Sequence, residues 1–139
     1  HVRPALESLG VKTHFWGVQQ RPGKPLFFGT RNGTPILGLP GNPVSTLVCA
    51  YLYAWPMLRT MLGHSNPHLT SRTATLTQPI SALPLTQFQR GALIEPSVTP
   101  LEGQGSHQLA PFTRSNCLIN IPPNAPAATG DRVECLMLP

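Results

Sequence analysis

The sequence predicts two units in series: an α/β piece built from a β-hairpin and one long helix, then a small all-β piece. Three observations carry this. Asn32-Gly33 lies between two apolar, strand-like runs, which is the strongest short hairpin signal available. Val44, Leu47, Val48, Tyr51, Trp55, Leu58 and Leu62 recur by threes and fours along one helical face. From Ser71 the helical period stops, and short apolar runs alternate with Pro, Gly and polar turns, as in a small β unit. The boundary falls between Asn66 and Ser71, dividing the chain into 1–70 and 71–139.

Arg3 to Leu9 has helical spacing, with Pro4 near its start and Gly10 placed as a C-cap. Val11 to Val18 alternates loosely and suits a strand. In Gln19-Gln20-Arg21-Pro22-Gly23-Lys24-Pro25, two cations flank a Pro-Gly turn. Arg21 offers a planar fork of donors to an oxyanion and Lys24 a mobile point charge, although a solvated basic turn is the commoner form of such a loop. Leu26–Thr30 and Thr34–Leu39 then make the hairpin, which folds the basic loop back toward Gly38-Leu39-Pro40-Gly41-Asn42-Pro43-Val44-Ser45. In that stretch Asn42 has N-cap chemistry and Pro43 suits the first helical position. Gly38 and Gly41 permit close backbone approach. A helix start of this kind presents amides and a positive dipole end to an anion; the same pattern also serves as a plain strand-to-helix turn. No Gly-Lys-Ser/Thr follows, so it is not a Walker loop. Pro56 is predicted to kink the helix or split off its last turn, and Gly63 ends it. His64 and His68 sit in the polar exit, where solvated loop histidines are commoner than a metal pair.

In the second unit, Arg72–Thr77, Phe88–Glu95, Cys117–Ile121 and Arg132–Leu138 are strand candidates. Phe88-Gln89-Arg90-Gly91 places an Arg beside a Gly in a strand, and Gly103-Gln104-Gly105-Ser106-His107 is a turn bearing a hydroxyl and an imidazole. No Asp or Glu completes a triad motif with Ser106 and His107.

Composition bounds the chemistry. Hydrophobic residues make up 40 % and charged residues 11 %, against ~25 % charged in an average soluble domain. The five acids, Glu7, Glu95, Glu102, Asp131 and Glu134, form no close-spaced pair for acid–base work or for Mg²⁺. A self-contained hydrolase or kinase would normally show more. The net charge of +5 reflects this shortage of acids; the cations run from Arg3 to Arg132 without a stripe or a nucleic-acid motif, and no nucleic acid is expected as partner. Cys49, Cys117 and Cys135 lack CxxC spacing and read as buried free thiols in a reducing compartment. No apolar run approaches the roughly 20 residues of a membrane span, and no charged-then-apolar leader opens the chain. The expectation is a soluble, cytoplasmic protein without a membrane partner. The chain opens mid-element without a Met, as a fragment or excised domain would.

Together, Arg-Pro-Gly-Lys-Pro at 21–25, Gly-Leu-Pro-Gly-Asn-Pro-Val-Ser at 38–45, Phe-Gln-Arg-Gly at 88–91, Gly-Gln-Gly-Ser-His at 103–107 and Asn116-Cys117 resemble the C-terminal part of the molybdopterin molybdenumtransferases, the bacterial MoeA enzymes and the E domain of gephyrin. Their order and spacing match that family from about Leu6 to the C-terminus. The resemblance implies that residues 1–70 end an α/β molybdopterin-binding domain and that 71–139 form a β-barrel-like C-terminal domain. It implies insertion of molybdate into adenylylated molybdopterin with release of AMP, a requirement for Mg²⁺, and a homodimer. Carried over by motif, Arg21 and Lys24 contact the anionic cofactor or oxyanion. Pro40, Gly41, Asn42 and Pro43 shape the pocket, and Ser45 opens the helix there. Arg90 and Ser106 face the cleft from the C-terminal domain. The family's catalytic aspartates and its Gly-Gly-Val-Ser-Val-Gly segment belong upstream of His1. A basic residue that some members carry is Gly17 here, and Arg21 replaces a common Lys. The resemblance therefore implies a transferase as parent protein and an inactive isolated chain, with no catalytic or metal-ligating residue of its own. The alternative is a non-catalytic module that holds molybdopterin or an oxyanion.

Overall fold

A computed structural model describes residues 2–105 and 108–139. Helix α1 (Val2–Ser8) leads into a three-stranded antiparallel sheet of β1 (Lys12–Trp16), β3 (Phe27–Arg31) and β4 (Thr34–Gly38), with β3 central. The predicted hairpin forms: Arg31 pairs with Thr34, and Asn32 and Gly33 both have positive φ, at 48° and 79°, as a two-residue type I′ turn requires. Between β1 and β3 runs a two-residue strand, β2 (Gln20–Arg21), which joins the other sheet.

The long helix is one continuous rod with a change of winding. Helix α2 (Pro43–Cys49) passes into a π-helical turn, Ala50–Ala54, and then into α3 (Trp55–Met61). Pro56 supplies no N–H to a carbonyl one turn back, and the chain widens to i→i+5 bonding just before it, with the Trp55 amide on the Ala50 carbonyl. The wider turn rotates everything beyond it. Val44 and Val48 are fully buried, whereas Leu58 and Leu62 are 53 % and 78 % exposed. The single apolar stripe predicted from Val44 to Leu62 is thus broken, because the period of 3.6 does not hold across a π-turn. Gly63, at φ +81°, closes α3: its amide bonds the Thr60 carbonyl and the His64 amide bonds Arg59, a Schellman ending.

The second unit is a closed barrel of five strands: β5 (Ser71–Leu76), β6 (Thr86–Ile94), β7 (Ser97–Pro100), β8 (Cys117–Ile121) and β9 (Arg132–Met137). Their order is β6-β7-β5-β9-β8, and β8 returns to β6. Four strands lie where the apolar runs predicted them. Strand β7 has no apolar run to predict it, only Val98 and Thr99 between two prolines; it forms by pairing with Gly91–Ile94 on one side and with Thr75 and Leu76 on the other. The α/β-then-barrel class is the observed one. Ala74, Leu76, Leu93, Val98, Cys117, Ile119, Ile121, Val133 and Cys135 fill the interior, and all three cysteines are buried and free.

Closure turns on Gly91, which pairs with Pro100 on one side and Cys117 on the other. A Cβ there would lie 2.8 Å from Ile119 Cγ1 and 3.1 Å from Cys117 Sγ. Both neighbours are packed core atoms. Gly91→Ala is expected to cost about 1–3 kcal/mol by overpacking, read as a lowered urea midpoint at unchanged m-value.

Candidate functional site: a cleft between the basic turn and the barrel

Strand β2 determines where Arg21 goes. Gln20 pairs with Thr86 and Arg21 with Gln87, parallel to the start of β6, and the Thr86 amide bonds the Gln19 carbonyl at 3.1 Å. The turn that follows is therefore pinned to the barrel. Beside it opens a cleft of about 340 Å³, bordered by Arg21 and Pro22, by Pro79, Ile80, Ser81 and Leu83, by Gln87, Phe88 and Gln89, and by Gln104 and Gly105. Three motifs far apart in sequence meet there: 21–25, 88–91 and 103–107. No carboxylate lines the cleft among the described residues, and Arg21 is exposed at its rim.

Arg90 lies beneath rather than in the cleft. It is 1 % exposed. Its Nε donates to Gln104 Oε1 at 3.3 Å, and its terminal nitrogens donate to the carbonyls of Gln108, Gly103 and Gly105 at 2.5, 2.9 and 3.4 Å. The guanidinium also sits 5.4 Å from the Phe112 ring centroid. Burial lowers its pKa. Among the described residues its hydrogen-bond partners are neutral dipoles and none is a carboxylate, so its positive charge under the cleft floor has no ion-pair partner there. Gln104 completes the arrangement: its Oε1 accepts from the Arg90 amide at 3.0 Å and its Nε2 donates to the Arg90 and Leu101 carbonyls at 2.8 and 2.7 Å. Its carboxamide acts as an extra strand residue on β6. Asn116 does the same two residues past Gly91, accepting from the Leu93 amide at 2.8 Å and donating to its carbonyl at 2.9 Å. Ser106, singled out by motif, lies outside the described residues, as does His107.

The stretch 38–45 faces elsewhere. Pro40 and Gly41, with Leu39, Trp16, Pro25, Phe27 and α1, line a second, more apolar cleft of about 510 Å³. Pro25 brings the end of the basic turn to this cleft, while Arg21 faces the barrel and exposed Lys24 lines neither. Asn42 caps α2, its Oδ1 accepting from the amides of Val44 and Ser45 at 3.1 and 3.3 Å. Thr46 donates its amide to the Asn42 carbonyl and its hydroxyl to the carbonyls of Pro40 and Asn42. With Pro43 lacking an N–H, every first-turn donor is already engaged within the turn itself. Ser45 is 7 % exposed. The roles of Asn42, Pro43 and Ser45 that the geometry shows are those of turn and helix start.

His64 and His68 are exposed, and the described residues contain no group of three or more His, Cys, Asp or Glu able to hold a metal ion. The donor set does not fit Mg²⁺, which takes hard oxygen ligands in octahedral array. None of the described helices is long and apolar enough to cross a membrane.

Two family models match this chain. Residues 1–60 match the family described as "Probable molybdopterin binding domain", and residues 73–138 match the MoeA C-terminal region (domain IV). The chain belongs to the MoeA family. It is 34 % identical over 127 residues to a molybdopterin molybdenumtransferase of Haemophilus influenzae, covering 84 % of this chain and 30 % of that protein. Against the molybdenum cofactor synthesis protein cinnamon of Drosophila melanogaster it is 31 % identical over 133 residues, covering 94 % of this chain and 22 % of that one. The crystal structure of a molybdopterin biosynthesis MoeA protein from Pyrococcus horikosii superposes with a TM-score of 0.81 at 27 % identity, over 97 % of this chain and 34 % of that chain. The chain therefore spans about a third or less of these MoeA relatives.

Buried Gln20, half-buried Gln104 and exposed Asn116 each bond backbone groups of this part of the MoeA fold. Gln104 and Asn116 stand inside the motifs at 103–107 and 116–117 and Gln20 just before Arg21, but no local pattern marks their hydrogen-bonding role. Gln104→Ala removes the acceptor of the Arg90 amide and leaves the Arg90 carbonyl with the Leu101 amide alone; it is expected to cost about 1–3 kcal/mol, with faster thermolysin cleavage between residues 101 and 108. Asn42→Ala is expected to cost about 1 kcal/mol of cap stabilisation, read by thermal denaturation.

Proposed function

We propose that this chain is the C-terminal part of a molybdopterin molybdenumtransferase whose complete form inserts molybdate into adenylylated molybdopterin and releases AMP. One observation supports this most directly: Arg21 and Pro22, Phe88 and Gln89, and Gln104 and Gly105, drawn from three of the motifs, line one cleft with no carboxylate among its described lining residues. With Arg21 at the rim and the Arg90 guanidinium below, the cleft attracts anions. Arg21 donates to molybdate or to a phosphate of the cofactor, and Lys24 adds a mobile charge nearby. Arg90 holds the backbone at Gly103, Gly105 and Gln108, and Ser106 is in this reading a ligand contact. Pro40 and Gly41, in the apolar second cleft, shape the pterin side of the pocket, with Asn42, Pro43 and Ser45 fixing their turn.

The two stretches 1–70 and 71–139 act in this reading as the end of the molybdopterin-binding domain and the C-terminal domain of a cytoplasmic homodimer. No step is assigned to Mg²⁺ through these residues. Names of relatives favour a transferase over a non-catalytic binding module, since the Haemophilus protein is named for molybdenum transfer. Molybdate-dependent AMP release by the complete protein, followed by chromatography, separates the two. Release supports the transferase; tight molybdopterin binding without release moves the assignment to the binding module. In the complete protein, Arg21→Ala is expected to weaken molybdopterin binding by about 1–3 kcal/mol, the loss of one charge-assisted hydrogen bond. Unchanged affinity by calorimetry removes Arg21 from the site.

A further inference from the structure

The turn that carries Arg21 is held from behind by three side chains. Gln20, 3 % exposed, donates Nε2 to the Pro22 carbonyl at 2.9 Å and reaches Cys49 Sγ at 3.7 Å. Its Oε1 accepts from the Tyr53 hydroxyl. Cys49 in turn donates to the Gly23 carbonyl at 3.7 Å. Burial pushes the Cys49 thiol up to about 11 and raises the Tyr53 phenol as well, so both keep the protons they donate at neutral pH. Gly23 fits tightly against the group: its φ is +102°, and a Cβ there would lie 2.4 Å from Cys49 Sγ and 2.7 Å from Gln20 Nε2.

Cys49 and Tyr53 stand four residues apart and share a helix face, at the end of α2 and inside the π-turn. π-turns recur where a helix serves a site. Here the turn faces β2, and β2 is the strand that pairs with the barrel beside the cleft. A rigid path therefore runs from the helix, through one carboxamide, to the backbone on either side of Arg21. The other end of that path is the parallel pairing of Arg21 with Gln87.

We propose that Gln20, Cys49 and Tyr53 are positioning residues that set the Arg21 turn at the cleft rim, so that oxyanion affinity depends on a hydrogen bond made behind the turn. This rests on the reading of the cleft as an oxyanion site. None of the three touches the ligand; they act through Arg21.

The test is molybdate titration calorimetry on the complete protein, with Tm measured alongside, for the parent, Tyr53→Phe, Arg21→Ala and the double variant. Tyr53→Phe is expected to weaken molybdate binding about fivefold, the strength of one ordinary hydrogen bond. It is expected to add nothing once Arg21 is alanine. If Tyr53→Phe lowers Tm and leaves affinity alone, or weakens binding equally in both backgrounds, the positioning role is overturned. If Arg21→Ala itself leaves affinity unchanged, the reading of the cleft fails and the positioning group is judged by amide hydrogen exchange at Gly23 and Lys24. Faster exchange there in Gln20→Leu and Tyr53→Phe, at unchanged Tm, supports it; unaltered exchange overturns it.

Discussion

Two residues of parallel pairing, Gln20 with Thr86 and Arg21 with Gln87, connect the hairpin sheet to the barrel. Without them the Arg-Pro-Gly-Lys turn would be a solvated loop. With them, β2 becomes an added strand beside β6, and the backbone itself decides on which side Arg21 emerges. The cleft follows from that pairing, because its walls are the turn, the start of β6 and the loop after β7. Such a short ladder contributes little by itself; burial of Gln20 and the bonds it makes to Pro22 and Tyr53 hold it in place.

Amide side chains recur as substitutes for missing strand neighbours. Gln104 bonds both backbone groups of Arg90 and Asn116 both of Leu93, where β6 runs past the end of its partner strands. A buried backbone N–H or C=O left unpaired is costly, and a carboxamide carries one donor and one acceptor in the right geometry to match the pair. Arg90 extends the same economy to three loop carbonyls. The backbone groups of β6 at the barrel end nearest the cleft are thereby paired beyond the regular strands.

Much of the architecture was legible in the residues. Asn32-Gly33 specified its hairpin because few other dipeptides accept two positive φ values in succession. Asn42-Pro43 specified a capped helix start, and Gly63 its end. Legibility failed where geometry was set by a distant partner. Strand β7 owes its existence to β6, and β2 to Thr86 and Gln87. The helix stripe failed for a different reason: one proline changed the winding, and the regular period ceased to describe which side chains are buried. For the candidate site, the motifs named Arg21, Phe88, Gln89, Gln104 and Gly105, whereas Gln20 and Tyr53 carry no local signature.

The sequence by itself determined the order of elements, the capped turn at 38–45, the scarcity of carboxylates and the membership of the MoeA family, since each rests on local residue chemistry or on motifs in register. Only the tertiary structure decided which motifs share a cleft. It sent Arg21 to the barrel, and Pro40 and Gly41 to another surface. It also engaged the first-turn amides of α2 with Asn42, and buried Arg90 under a loop. The physical reason is that these outcomes depend on long-range strand pairing and on the satisfaction of buried polar groups, neither of which has a period or a spacing along the chain.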